Sequence, residues 1–201
     1  QYPLVNFQLE LGRPSGLLPM VLEGRLDFAF IDTFPTRGQY DGDTGVFSVE
    51  PLLEEQVVLA CSRHYEESNL RGNQSFNTLS QCSFISQQSD AWALNNWFRH
   101  HFATKPAALQ IVLTVENHQA VVSAIRHHLG LGIVIPHMIH EEIKTGTICV
   151  VRSEAEQAVN RISMVRLKDK VPPLSEKTFL VHLAHMLKRS RTLKRFNVTV
   201  L

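Results

Sequence analysis

Three short polar segments carry the side chains best suited to holding a small molecule: Arg13 with Ser15, Ser86-Gln87-Gln88-Ser89, and Glu116-Asn117-His118. Each follows an apolar run and precedes a helical pattern. Each is therefore expected at the carboxyl end of a strand, where loops and helix N-termini meet ligands in α/β proteins. The Arg13 guanidinium can hold a carboxylate through two parallel hydrogen bonds; the alternative is a solvated loop arginine. Ser86, Gln87 and Ser89 offer hydroxyl, amide and backbone donors at a helix start, against the alternative of a plain helix cap. Asn117 and His118 pose the same choice between capping and contact. Glu116 sets a limit, because a carboxylate disfavours an anionic ligand unless it is neutralised. Pro136 closes the apolar run Ile133-Val134-Ile135, where a residue without an N–H belongs at a strand's end.

Little else in the chain has catalytic or metal-binding spacing. His100-His101 and His127-His128 are sequence neighbours, and neighbouring helix residues point in different directions, unlike an i, i+4 pair. His182 and His185 lie three apart in a helical pattern, but no third metal ligand accompanies them. There is no Gly-x-Ser-x-Gly nucleophile elbow. Cys61, Cys82 and Cys149 are odd in number and widely spaced, which fits reduced thiols in a cytoplasm, and Cys61 and Cys82 read as core residues rather than nucleophiles. Trp92 and Trp97 have only Arg99 beside them, thin support for a base-stacking platform. No catalytic residue, metal ion or cofactor is expected.

A formal net charge of +1 leaves no global electrostatic case for nucleic acid or an anionic membrane as partner. At 201 residues and 44% hydrophobic, the chain can build one large domain or two lobes. No apolar run approaches the roughly 20 residues of a membrane span. Gln1-Tyr2-Pro3-Leu4-Val5 has neither the basic start nor the apolar core of a signal peptide. A cytoplasmic location without membrane contact is expected.

The polar segments are positioned by alternating strand and helix patterns. Val5 to Leu11 alternates apolar and polar, predicting a strand with one exposed face. A loop, a helix through Leu17, Leu18, Val21 and Leu22, and a strand at 26–31 follow, read as a right-handed crossover onto a parallel sheet. Residues 36–44 read as a surface loop, residues 47–53 and 56–61 as strands, and 66–77 as polar and irregular. The second lobe reads as a strand at 82–86, a helix at 90–102 and a strand at 109–115. Then Val121, Ile125 and Leu129 recur at helical spacing. Gly130 fits a left-handed helix stop and Gly132 close packing before the strand 133–135. A helix through Met138, Ile139 and Ile143, strands at 148–151 and 161–167, and a final helix through Phe179, Leu180, Leu183 and Leu187 complete the pattern. The tail from Arg195 to Leu201 alternates weakly, compatible with disorder or with an added strand.

Three segments carry a resemblance to the effector-binding domain of LysR-type transcriptional regulators. They are Gly16 to Phe30 with its Gly24-Arg25-Leu26-Asp27 step, Pro51 to Cys61, and Val115 to Pro136 with Gly146-Thr147-Ile148 downstream. The resemblance implies an α/β, two-lobed, periplasmic-binding-protein-like (type 2) domain, each lobe a mostly parallel sheet flanked by helices. Lobe I is expected at 1–61 and 137–201, and lobe II at 62–136. Because the chain starts at Gln1-Tyr2-Pro3, it resembles a fragment whose first strand and helix are missing. Implied partners are a small polar or anionic effector bound between the lobes, a second copy in a homodimer or tetramer, and DNA only through an absent N-terminal winged helix-turn-helix. The ligand-binding set is Arg13, Ser15, Ser86, Gln87, Glu116, Asn117, His118 and Pro136. A periplasmic-type solute-binding protein for transport is the alternative. An enzyme on this scaffold, with Glu116 or His118 as base, is a third reading.

Overall fold

The computed structural model describes residues 5–33, 45–152 and 158–189. The chain divides into two compact units, Gln1–Glu55 with Val159–Leu201, and Gln56–Ala158. The expected lobe boundaries after Cys61 and Pro136 are thus displaced. The reason lies in the ladder: β3 (Val58–Ser62) pairs with β6 (Leu131–Val134) and with β7 (Ile148–Val150), so these strands and everything between them fold together.

The first unit is a three-stranded sheet in the order β1-β8-β2, built from β1 (Ala29–Thr33), β2 (Phe47–Gln56) and β8 (Val159–Leu167). β1 runs antiparallel to β8. The ion pairs Arg161–Glu54 and Arg166–Glu50 advance in opposite senses along β8 and β2, as an antiparallel pair requires. Among the described residues the sheet is therefore not the mostly parallel one expected. Pro51 is tolerated because β2 is an edge strand. Helix α1 (Pro14–Leu22) places Leu17 and Val21 against Ala29, Ile31 and Val165. It ends in a Schellman turn: Gly24 is left-handed at φ 70, the Gly24 N–H donates to Val21 O and the Arg25 N–H to Met20 O. Val5 to Leu11, expected as a strand, forms none. Phe7, Leu9 and Leu11 are 72%, 83% and 88% exposed, so the pattern that predicts burial finds no neighbouring strand to supply it. The predicted parallel crossover is absent with it. Helix α7 (Leu174–Arg189) meets the opening segment through Phe179, whose ring lies 5.4 Å from Phe7 and 5.8 Å from Phe28.

The second unit is a five-stranded sheet in the order β5-β4-β6-β3-β7, with β4 (Ser83–Ser86) parallel to both β5 (Gln110–Thr114) and β6. β3 is antiparallel to both its neighbours. Alternate residues feed two cores. Val58, Ala60, Ile85 and Val134 pack with Val121, Val122 and Ile125 of α5 (His118–Arg126). On α4 (Trp92–Phe102), Phe98 meets Phe84 edge-on at 5.8 Å. Between β3 and β4 lie α2 (Arg63–Tyr65), a π-helical turn at Glu66–Leu70, and α3 (Phe76–Ser80). The region expected as irregular, 66–77, thus holds the π-helical turn and the start of α3. Pro136 opens a 3-10 turn leading to α6 (His140–Thr145).

The helix stop after α5 also differs from expectation. His127 is the C-cap, and the left-handed residue is His128 at φ 63 rather than Gly130. The His128 N–H donates to Ile125 O and the Leu129 N–H to Ala124 O, a Schellman pair. His128 is held there by a 2.8 Å hydrogen bond between its Nδ1 and the Ser62 hydroxyl, with its ring 4.8 Å from that of His64. Gly130 serves another purpose: a Cβ on it would lie 2.3 Å from the Ser83 carbonyl oxygen. Residues 34–44 and 190–201, which include the predicted surface loop and the tail read as disorder or an added strand, lie outside the described residues.

Candidate functional site

In the second unit, β4, β5 and β6 run parallel and end together at Ser86, Thr114 and Val134. Ser86-Gln87, Glu116-Asn117-His118 and Pro136 therefore emerge at one edge of one sheet, as the strand pattern predicts. The ends of β4 and β5 are fixed to one another by the Val115 N–H, which donates to Ser86 O at 2.9 Å.

Two of the predicted ligand groups are engaged locally. The Ser86 hydroxyl, buried at 3% exposure, donates to the Gln88 carbonyl at 2.6 Å and accepts the Gln88 N–H at 3.2 Å. It shapes the turn that follows β4. Asn117 is the N-cap of α5, its side-chain oxygen accepting the Ala120 N–H at 3.0 Å and its carbonyl the Val121 N–H. Gln87 and His118, 31 residues apart, meet directly: the Gln87 amide nitrogen lies 2.7 Å from His118 Nδ1. An amide NH2 is only a donor, so this bond requires an unprotonated Nδ1. Glu116 is exposed beside them.

Helix α5 points its N-terminus at this edge. Its first turn holds no acidic residue, and its leading N–H groups and dipole favour an acceptor atom. Asp90 guards the start of α4 instead: its carboxylate accepts the Trp92 N–H at 3.1 Å, after a left-handed Ala91 at φ 49. Gln88, through its backbone, is the member that sequence reasoning passed over. A serine two residues before it is the available signal for that turn.

Arg13 and Ser15 belong to the first unit. Arg13 is the N-cap position of α1, and its carbonyl accepts the Gly16 and Leu17 N–H groups at 2.9 and 3.0 Å. Pro14 follows at N1, where a missing donor costs nothing. Elsewhere, the His100-His101 pair ends α4, and burial, then the neighbouring His100, hold His101 down to about 4. Among the described residues no group of three or more His, Cys, Asp or Glu is placed to hold a metal ion. No helix among them is long and apolar enough to cross a membrane.

Comparison with solved structures supports the fold. The regulatory domain of HypT from Salmonella typhimurium matches with a TM-score of 0.65 at 15% identity, over 92% of this chain and 84% of that one. The Synechocystis PCC6803 CcmR regulatory domain in complex with 2-PG matches at 0.69 and 16%, over 94% and 86%. Full-length HypT, described as a hypochlorite-specific LysR-type transcriptional regulator, is covered over 59% of its length. No curated protein matches the chain. The model of the LysR substrate binding domain matches residues 1–188. The chain belongs to that family, the ligand-sensing part of LysR-type transcriptional regulators.

Proposed function

We propose that the domain senses a small polar metabolite at the carboxyl edge of the second unit's sheet. The observation that carries this reading is the convergence of Gln87 and His118, from two separate strand ends, beside the N-terminus of α5. A ligand there meets opposed demands. The helix terminus favours an acceptor, such as a carboxylate or phosphoryl oxygen. Glu116 disfavours a bare anion and favours a donor. A metabolite carrying an acceptor and a donor on neighbouring atoms, in the manner of a hydroxy or amino acid, satisfies both. The CcmR neighbour's 2-PG supports a small-molecule occupant.

In the full-length protein, ligand occupancy is read out by a DNA-binding segment in the cytoplasm, within a homodimer or tetramer. Membership of the regulator family favours this over a transport protein or an enzyme. The test is calorimetry of the purified chain against a panel of hydroxy acids, amino acids and phosphorylated acids. One class should bind, and His118→Phe and Gln87→Leu should each weaken it about five- to tenfold, the value of one hydrogen bond. A ligand that binds both variants as tightly as the wild type would place the site elsewhere. Turnover of any panel member would overturn the regulatory reading.

A further inference from the structure

The three cysteines, distant in sequence, all fall in the second unit, and two of them face one another. β3 and β7 are antiparallel with Cys61 opposite Cys149. The bracketing bonds, Arg63 N–H to Thr147 O and Val151 N–H to Leu59 O, both at 2.8 Å, fix which kind of pair this is. Hydrogen-bonded pairs recur every second residue, so 61 and 149 form one, with Cα atoms about 5.5 Å apart. Directly opposed residues project from the same face of the sheet. A disulfide requires Cα atoms roughly 4.4–6.8 Å apart, most often about 5.5–6 Å. The register therefore brings the two thiols face to face at a suitable Cα spacing. The Cβ atoms of such a pair stand about 4.5–5.5 Å apart and must close to roughly 3.5–4.5 Å, a local adjustment of β7, which is the edge strand of the sheet.

We infer that Cys61 and Cys149 form an intramolecular disulfide when the protein meets a two-electron oxidant such as hydrogen peroxide. Cys149, only partly buried, is the sulfur that solvent reaches, whereas Cys61 is fully buried. Cys149 Sγ attacks the peroxide: the S–O bond forms, the O–O bond breaks, and the departing hydroxide takes up the thiol proton as water. Cys61 Sγ then attacks the sulfenic sulfur. The S–S bond forms, the S–O bond breaks, and the second hydroxide leaves with the Cys61 proton as water. Two thiols lose two electrons, and one peroxide becomes two waters.

The surroundings set the pace. Burial pushes Cys61 up to about 12, with Cys149, Glu66 and Cys82 adding to the effect and Arg63 opposing it. Burial also raises Cys149, which Arg63 counters while Glu66 and Glu67 reinforce. Because the thiolate is the nucleophile, oxidation speeds up as pH rises. Cys82 is the internal control: its thiol donates to the Thr78 carbonyl at 3.4 Å, in the turn before β4.

The experiment treats the whole chain with hydrogen peroxide at mildly alkaline pH, then unfolds it in an alkylating reagent. Expected are one alkylated cysteine, Cys82, and a tryptic peptide pair joining Cys61 to Cys149 that separates on reduction. Cys82→Ser should give the same linked pair, Cys61→Ser none, and the oxidised protein should melt at a higher temperature. Three alkylated cysteines, a Cys149 sulfinic acid beside an alkylated Cys61, or a link involving Cys82 or a second chain would each overturn the assignment.

Discussion

Replacing Gly130 with alanine puts a methyl carbon 2.3 Å from the Ser83 carbonyl oxygen, 2.8 Å from its carbon and 3.3 Å from the Phe84 nitrogen. These are backbone atoms at the start of β4, and Phe84 is paired with Leu131, one residue beyond the substitution. No rotamer can relieve the overlap, so β4 and β6 must separate by on the order of 1 Å. Overpacking costs about 1–3 kcal/mol, and each buried ladder bond left unmade adds about 1–3 kcal/mol. The expected loss is about 3–5 kcal/mol, a large share of a typical stability of about 5–15 kcal/mol. Gly132→Ala is the comparison. Its methyl would meet Val121 Cγ1 at 2.9 Å and Ile125 Cδ1 at 3.2 Å, side-chain ends that can give, so about 1–2 kcal/mol is expected. Urea unfolding followed by circular dichroism measures both, provided the slope is unchanged. If Gly130→Ala costs no more than Gly132→Ala, the close approach of β6 to β4 is not what requires glycine.

Acid should weaken the fold through His101, packed 4.3 Å from Trp97 and held down to about 4 by burial and His100. A histidine with a depressed folded pKa contributes fully above its unfolded value of about 6.5 and loses that contribution as pH falls towards 4. The loss is on the order of 2–3 kcal/mol, and the fall in urea midpoint between neutral pH and pH 4 should shrink in His101→Phe. Lys170 donates to Asp27 and to the buried Glu176; although burial opposes its charge, these bonds raise its pKa. Lys170→Met strands the Glu176 carboxylate and should cost about 2 kcal/mol, less than the 3–5 kcal/mol of a wholly buried pair because the lysine is partly exposed. Adding Glu176→Gln should recover much of that cost, and a double variant as unstable as the single one would refute the pairing. His128→Ala keeps the left-handed backbone but loses the Ser62 bond, costing about 1 kcal/mol. His128→Gly loses the same bond but relieves a strain of roughly 1–2 kcal/mol, so it should unfold near the wild-type midpoint; equal midpoints for the two would exclude strain at His128.

The second unit was legible in the sequence because each of its signals is local. Val121 and Ile125 mark the buried face of α5, and the unbroken apolar runs around Val58 and Ile133 mark strands covered on both sides. The first unit was less so, because its pattern depends on neighbours. Val5 to Leu11 has the alternation of a strand, but alternation shows only that a face is available for burial; a partner strand must supply the burial. The direction of pairing is equally non-local. β3 is antiparallel to β6 and β7 because of where the chain enters the second unit, and no residue within Val58 to Ser62 encodes that. The unit boundary lies after Glu55 rather than Cys61 for the same reason.

At the candidate site, residue type located the edge but could not assign the work. Ser86, Asn117 and Gln87 are all uncharged polar residues at or just beyond strand ends, yet they divide by reach. A serine hydroxyl oxygen is only two bonds from its own Cα, so it closes the turn onto Gln88. Asn117 reaches one turn into α5 and caps it. Gln87, one methylene longer than asparagine, can leave its own segment and meet His118. The short side chains hold the two loops in place, and the long one joins them. The proposed site therefore predicts that substitution at Ser86 or Asn117 lowers stability alongside affinity, whereas substitution at Gln87 or His118 lowers affinity with the unfolding midpoint nearly unchanged. Urea unfolding beside calorimetry with the panel ligand that binds would separate the two roles, and equal losses of stability in all four variants would refute the division.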